Sequence, residues 1–133
     1  MGAFRTARAL LAAAALASTV PALTSSAETP GDAEARAALS LVYDGDFHGA
    51  ESRLAALARE RASDPVLPYL QALALEWRLE QDPAVRTHDG EVLALADRAL
   101  GLSASRLGRD PSDRRALLAR GAAHGVKSRL HLF

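Results

Sequence analysis

Asp44-Gly45-Asp46-Phe47-His48-Gly49-Ala50 is the stretch on which the reading of this chain turns. Gly45 stands between two aspartates, free to take the positive φ that closes a helix, and Asp46 offers a carboxylate to the free N–H groups of whatever follows. Downstream, Phe47, Ala50, Leu54, Leu57 and Ala58 recur at helical spacing, with Glu51, Arg53, Arg59 and Glu60 on other faces. Upstream, Thr29 as N-cap, Pro30 at the first helical position and Asp32 three residues after the cap open a helix that runs to about Tyr43. The stretch therefore reads as a tight turn between two helices. Its spacing also matches the opening of a calcium loop, with Asp44, Asp46 and Gly49 at the first, third and sixth positions. The twelfth position, where a bidentate carboxylate is needed, is Ala55, so capping and not calcium accounts for the acids.

Turn residues divide the rest of the chain. Arg61-Ala62-Ser63-Asp64-Pro65 stops the second helix, and a third starts between Val66 and Pro68, since proline fits only the first turn. It presents Leu70, Leu73, Ala74 and Trp77 as one stripe, which places Trp77 in the core. Gln81 to Gly90 reads as a longer loop, with Asp89 capping a fourth helix from about Glu91 to Leu107 that Gly108 ends. Asp110-Pro111-Ser112 opens a fifth, which continues through Leu117, Gly121, Val126 and Leu130. Composition agrees with an all-α fold: the 49% of hydrophobic residues is largely Ala and Leu, and only 5% of the chain is aromatic, which leaves strands little material.

The N-terminal segment reads differently. Arg5 and Arg8 precede an uncharged apolar run from Ala9 to Ala17 that breaks at Ser18, Thr19 and Pro21, the pattern of a secretory signal peptide over residues 1–27. The run is shorter than the roughly 20 apolar residues of a membrane span. Ser25 and Ala27 place small residues before a cut preceding Glu28, with Val20-Pro21-Ala22 as a second candidate, and an uncleaved anchor is the alternative. The chain has no Cys, hence neither disulfides nor a lipid-accepting N-terminal Cys, and the non-adjacent arginines favour the general secretory route. The expected location is periplasmic or secreted, without a membrane span after cleavage. Losing Arg5 and Arg8 takes the net charge from 0 to −2, which does not suggest a nucleic-acid partner.

The order helix, glycine turn, helix, Asp-Pro, helix resembles the tetratricopeptide repeat family. In a first unit, 32–65, Ala38 falls on the family's small packing position, Gly45-Asp46-Phe47 on its turn and aromatic, Ala50 and Leu54 on its small and large positions, and Pro65 on its closing proline. In a second, 66–111, Leu70, Leu73, Ala74 and Trp77 take the bulky, bulky, small and aromatic positions, and Pro111 closes the unit. An incomplete third, 112–133, keeps Leu117 and Gly121. Glu34 departs from the family where an aromatic is usual, and a generic helical bundle is the competing architecture. After the signal peptide and a polar linker over 28–31, the resemblance implies a repeat domain over 32–133: a right-handed stack of antiparallel helix pairs, a TPR-like α-solenoid of about two and a half units. It also implies a concave groove for a protein or peptide partner, lined by Arg36, Leu39 and Tyr43, by Gln71, Leu75 and Arg78, and by Arg115, Leu118 and Ala122. The arginines are expected to fork onto a partner's carboxylates.

Catalysis is not expected. The chain has no phosphate loop, nucleophile elbow or paired-histidine zinc motif, and His124 and His131, seven apart on one helix, lack a further ligand between them. Neither a metal nor a cofactor is anticipated. Gly121 and Gly125 read as a close helix–helix contact, with Arg120, His124 and Lys127 too polar for a lipid-embedded face. The fifth helix carries Leu117, Leu118, Val126 and Leu130 with no helix after it to cover them. Either that helix swings back onto the preceding unit, or it pairs with another subunit in a homo-oligomer or an envelope scaffold, or the protein is longer, the last two being favoured.

Overall fold

The computed structural model describes residues 30–82 and 88–131, and all regular structure among them is helical. The five helices are α1 (Pro30–Tyr43), α2 (Phe47–Glu60), α3 (Val66–Gln81), α4 (Asp89–Arg109) and α5 (Arg114–Leu130). Residues 1–27, read as a signal peptide, and Thr29, read as the cap of α1, lie outside the described residues. Pro30 and Gly31 belong to α1, so the expected linker is two residues shorter than drawn.

The α1–α2 turn forms as its residues dictate. Gly45 has φ +82°, the only positive φ among the described residues, and the Asp46 carboxylate accepts the Gly49 N–H at 2.9 Å to cap α2. At the next junction Asp64 takes the capping role, because Pro65 has no suitable side chain: Asp64 Oδ1 accepts the Val66 N–H at 3.1 Å. Two boundaries differ from expectation. Gly108 does not end α4, which runs on to Arg109; Asp110, held extended (φ −140°, ψ 98°) ahead of Pro111, ends it. Nor does Asp110 open α5. Its carboxylate instead accepts from Ser112 N and Oγ within the turn, and Asp113 caps α5 through the Ala116 N–H at 3.0 Å. At the other end of α4, Asp89 lies inside the helix and His88 occupies the N-cap position.

Packing centres on α3. One cluster buries Ala35, Ala38 and Val42 of α1, Ala50, Leu54 and Leu57 of α2, and Leu67, Leu70 and Ala74 of α3. A second joins Ala72 and Leu75 of α3 to Val92, Ala96 and Ala99 of α4 and to Ala123 and Val126 of α5. Tyr69 packs on both. α3 thus touches all four other helices, whereas α2 and α4 have no substantial contact with each other.

Alanine fills much of the interior. Ala38, Ala50, Ala74, Ala96, Ala99, Ala116, Ala119 and Ala123 are completely buried, and the large fully buried apolar side chains are few, Leu54, Leu67, Val92 and Val126 foremost. Small side chains let helix axes approach closely but bury little apolar area each, and burial contributes only about 25 cal/mol per Å². The helices are correspondingly stitched by long-range ion pairs. Arg115 of α5 makes two bonds of 2.8 Å to Asp64 and one of 2.8 Å to Asp32. Arg129 of α5 reaches Glu76 of α3 at 2.7 and 2.8 Å, and Arg78 of α3 reaches Glu51 of α2 at 3.1 Å.

Candidate functional site

On α3 the contacts fix which way each side chain points. Arg78 meets α2 through Glu51, and Gln71 and Leu75 line a cleft together with Glu51 and Ala55 of α2 and Glu91 and Leu95 of α4. Trp77 meets α1 through Tyr43, and Glu76 meets α5 through Arg129. Between the α1 side and the α5 side lies an outward stripe at spacings of three and four residues, Val66, Tyr69, Leu73 and Trp77, all partly exposed.

Flanking helices extend this stripe into a surface. α1 contributes Tyr43, 75% exposed, with Arg36 exposed two turns earlier and Leu39 half-buried against the first core cluster. α5 contributes Leu118, 64% exposed, and the half-buried Ala122. The centre of the surface is an edge-to-face pair: the Tyr43 and Trp77 rings lie 5.3 Å apart at 75°. Such a pair is worth about 0.5–1.5 kcal/mol beyond its buried area, yet both rings remain open to solvent.

The expected core position of Trp77 is therefore corrected. Leu70 and Ala74 fill the space beneath α1, and Trp77, one step further around α3, emerges at 36% exposure. The nine groove residues divide. Tyr43 meets α3 through Trp77, Leu39 packs on the first core cluster and Arg115 turns to Asp64 and Asp32, while Arg36 and Leu118 are exposed and Ala122 is half-buried. Gln71, Leu75 and Arg78 do not share the face of α3 that carries Trp77; Leu75 is 3% exposed and belongs to the core. Tyr69, Leu73 and Trp77 occupy the α3 part of the surface in their place. Their signal in the sequence is an aromatic–leucine–aromatic spacing of four and four, which also fits a core stripe.

Arg78 and Arg115 are committed to internal partners. Asp64 is 4% exposed and holds both Arg115 and Arg61, the latter at 2.6 Å. Hydrogen bonding to Asp64 raises the Arg115 pKa above its ordinary value, and bonding to Glu76 does the same for Arg129. Arg78 spends its guanidinium on Glu51. The carboxylate forks expected of Arg78 and Arg115 are thus directed inward, and what faces solvent between them is aromatic and aliphatic.

Among the described residues no cluster of three or more His, Asp or Glu side chains is placed to hold a metal ion, and no helix is long and apolar enough to cross a membrane. No protein-family model matches the chain, and neither a curated protein nor a solved structure is detectably similar to it.

Proposed function

We propose that this is an exported, non-catalytic interaction module whose residues 32–133 form a TPR-like stack and whose α1, α3 and α5 together clasp an extended apolar segment of a partner protein. The stacked reading is supported by the packing order: α3 lies against both α1 and α5, while α2 and α4 stand apart from each other, as inner and outer helices of successive pairs would. Export rests on the residues of the 1–27 leader, with its Arg5, Arg8 and Ala9–Ala17 run. The observation that carries the binding proposal is the exposed Tyr43–Trp77 pair, with Tyr69 and Leu73 on the same stripe of α3 as Trp77. Large apolar side chains gathered on one surface mark interaction sites more often than scattered ones.

Trp77 is the sole tryptophan, so its emission reports on this surface directly. Peptides selected by display on the chain from Glu28 onward should shift Trp77 emission to the blue, and Tyr43→Ala with Leu73→Ala should weaken them at least tenfold. Selected peptides that bind the double variant as tightly as the parent, leaving Trp77 emission unmoved, would remove the proposal.

Self-association through α5 is the second reading, favoured by Leu117 at 48% and Leu118 at 64% exposure. The two leucines separate the readings, because Leu118 continues the side of α5 that carries Arg115 and Ala122 whereas Leu117 lies about 100° around the helix from Leu118. Leu117→Glu should dissolve a dimer in light scattering and leave peptide binding intact.

A further inference from the structure

On the opposite side of α3 from the aromatic surface, a cleft of about 150 Å³ opens between α2 and α4. Its walls are the apolar Ala55, Leu75 and Leu95, and its polar groups are Glu51, Gln71 and Glu91, contributed by three different helices. Two of these residues each carry one buried side-chain oxygen that accepts no hydrogen bond, Glu51 Oε1 and Gln71 Oε1. Glu51 engages Arg78 only through Oε2, and Glu91 engages His88 only through Oε2. The cleft therefore presents acceptors in excess of donors. A buried acceptor left unpaired is costly, more so when the group is ionised.

We propose that this cleft receives the side chain of a lysine from a partner polypeptide. The match is one of chemistry and count. An ammonium carries three donors and no acceptor, which suits separate oxygens of Glu51, Gln71 and Glu91 better than the planar fork of an arginine, which seeks two oxygens of one carboxylate. The charge agrees: the two carboxylates, Glu51 and Glu91, have one arginine, Arg78, between them. The apolar walls suit the aliphatic stem, which packs along apolar surface while the charged head meets its partners. The cleft is too small for a typical ligand, for which about 300 Å³ is the lower end, but not for one side chain. The chain's own single lysine does not compete for it, since Lys127 is bonded to Asp97 between α5 and α4. This site is independent of the aromatic surface and of the function proposed for it.

The test is a titration of the ¹⁵N-labelled chain with Nα-acetyl-lysine methylamide, reading the Gln71 side-chain amide and the backbone amides of Ala55 and Leu95. Saturable shifts at all three are expected, with none from the norleucine analogue, which has the stem without the ammonium. Glu91→Gln, an exposed change that leaves the fold unperturbed, should weaken the lysine probe several-fold, and Gln71→Met about tenfold, in line with a charge-assisted hydrogen bond. Trp77 emission should stay constant throughout, which separates this outcome from anything happening at the aromatic surface. Absence of shifts with the lysine probe, equal shifts with norleucine, or undiminished affinity in both variants would each overturn the proposal. Tighter binding of methylammonium than of the lysine probe would also overturn it, by assigning the cleft to a free amine.

Discussion

Replacing Arg115 with methionine should cost this protein more stability than any other single surface-side substitution. Arg115 lies on α5, and its guanidinium bonds at 2.8 Å to both Asp32 of α1 and Asp64 at the α2–α3 junction, the two carboxylates that Arg61 also reaches, at 3.8 and 2.6 Å. Asp64 is 4% exposed. A buried carboxylate stripped of its whole partnership costs about 3–5 kcal/mol. Asp64 would keep Arg61 at 2.6 Å and the Val66 N–H at 3.1 Å, so it would remain partly satisfied. Methionine also retains most of the stem packing. The expected loss is therefore about 2–3 kcal/mol, the range of hydrogen bonds to a charged group. In a domain of this size that corresponds to a fall of roughly 10–20 °C in Tm.

The control is Asp32→Asn, which removes the outer, more exposed end of the same network and should cost about 1 kcal/mol or less. Urea melts followed by far-ultraviolet circular dichroism and by Trp77 emission measure both. The two probes carry further information, because dichroism sees all five helices while Trp77 reports the α1–α3 contact. If Arg115 holds α5 down, the variant should lose helical signal ahead of the Trp77 transition. Equal costs for Arg115→Met and Asp32→Asn, with coincident transitions, would refute the reasoning and reduce the network to surface decoration.

Further outcomes follow from single positions. Gly45→Ala should destabilise by about 1–2 kcal/mol in the same urea melts although a methyl group there meets nothing within 4 Å, since the cost is that of φ +82° alone. Gly101→Ala and Gly121→Ala, both helical, exposed and unobstructed, should each add about 0.5–1 kcal/mol, read as a rise in Tm. Hydrogen bonds from the Ala116 N–H and from Arg106 lower the pKa of Asp113 in the folded state. A depressed folded pKa means the stabilisation is present above the unfolded value of 3.8 and is lost as pH falls through the folded one. Amide exchange at the start of α5 should accordingly quicken below about pH 4, and Asp113→Asn, which caps without titrating, should flatten that dependence.

How much of this was legible in the sequence depends on whether a signal was local. The α1–α2 turn was, because Gly45 and Asp46 act on backbone groups within three residues of themselves. The end of α4 was not: Gly108 offers a stop that the chain does not need, and the extended backbone imposed on Asp110 by Pro111 decides the boundary instead. The α3 surface failed for a different reason. Leu70, Leu73, Ala74 and Trp77 share a stripe of ordinary width, and a sequence says that one edge of a stripe is buried without saying which. That choice falls to the neighbours. Tyr43, at the very end of α1, reaches Trp77 because the Gly45 turn stops α1 there, and Glu51 draws Arg78 to the far side of α3. Gln71 and Leu75 turn with Arg78, away from the aromatic surface and into the α2–α4 cleft. The rotation of one helix by the partners of two residues thus decides which side chains a ligand would meet on either side of it, and neither Tyr43 nor Glu51 is near α3 until the chain has folded.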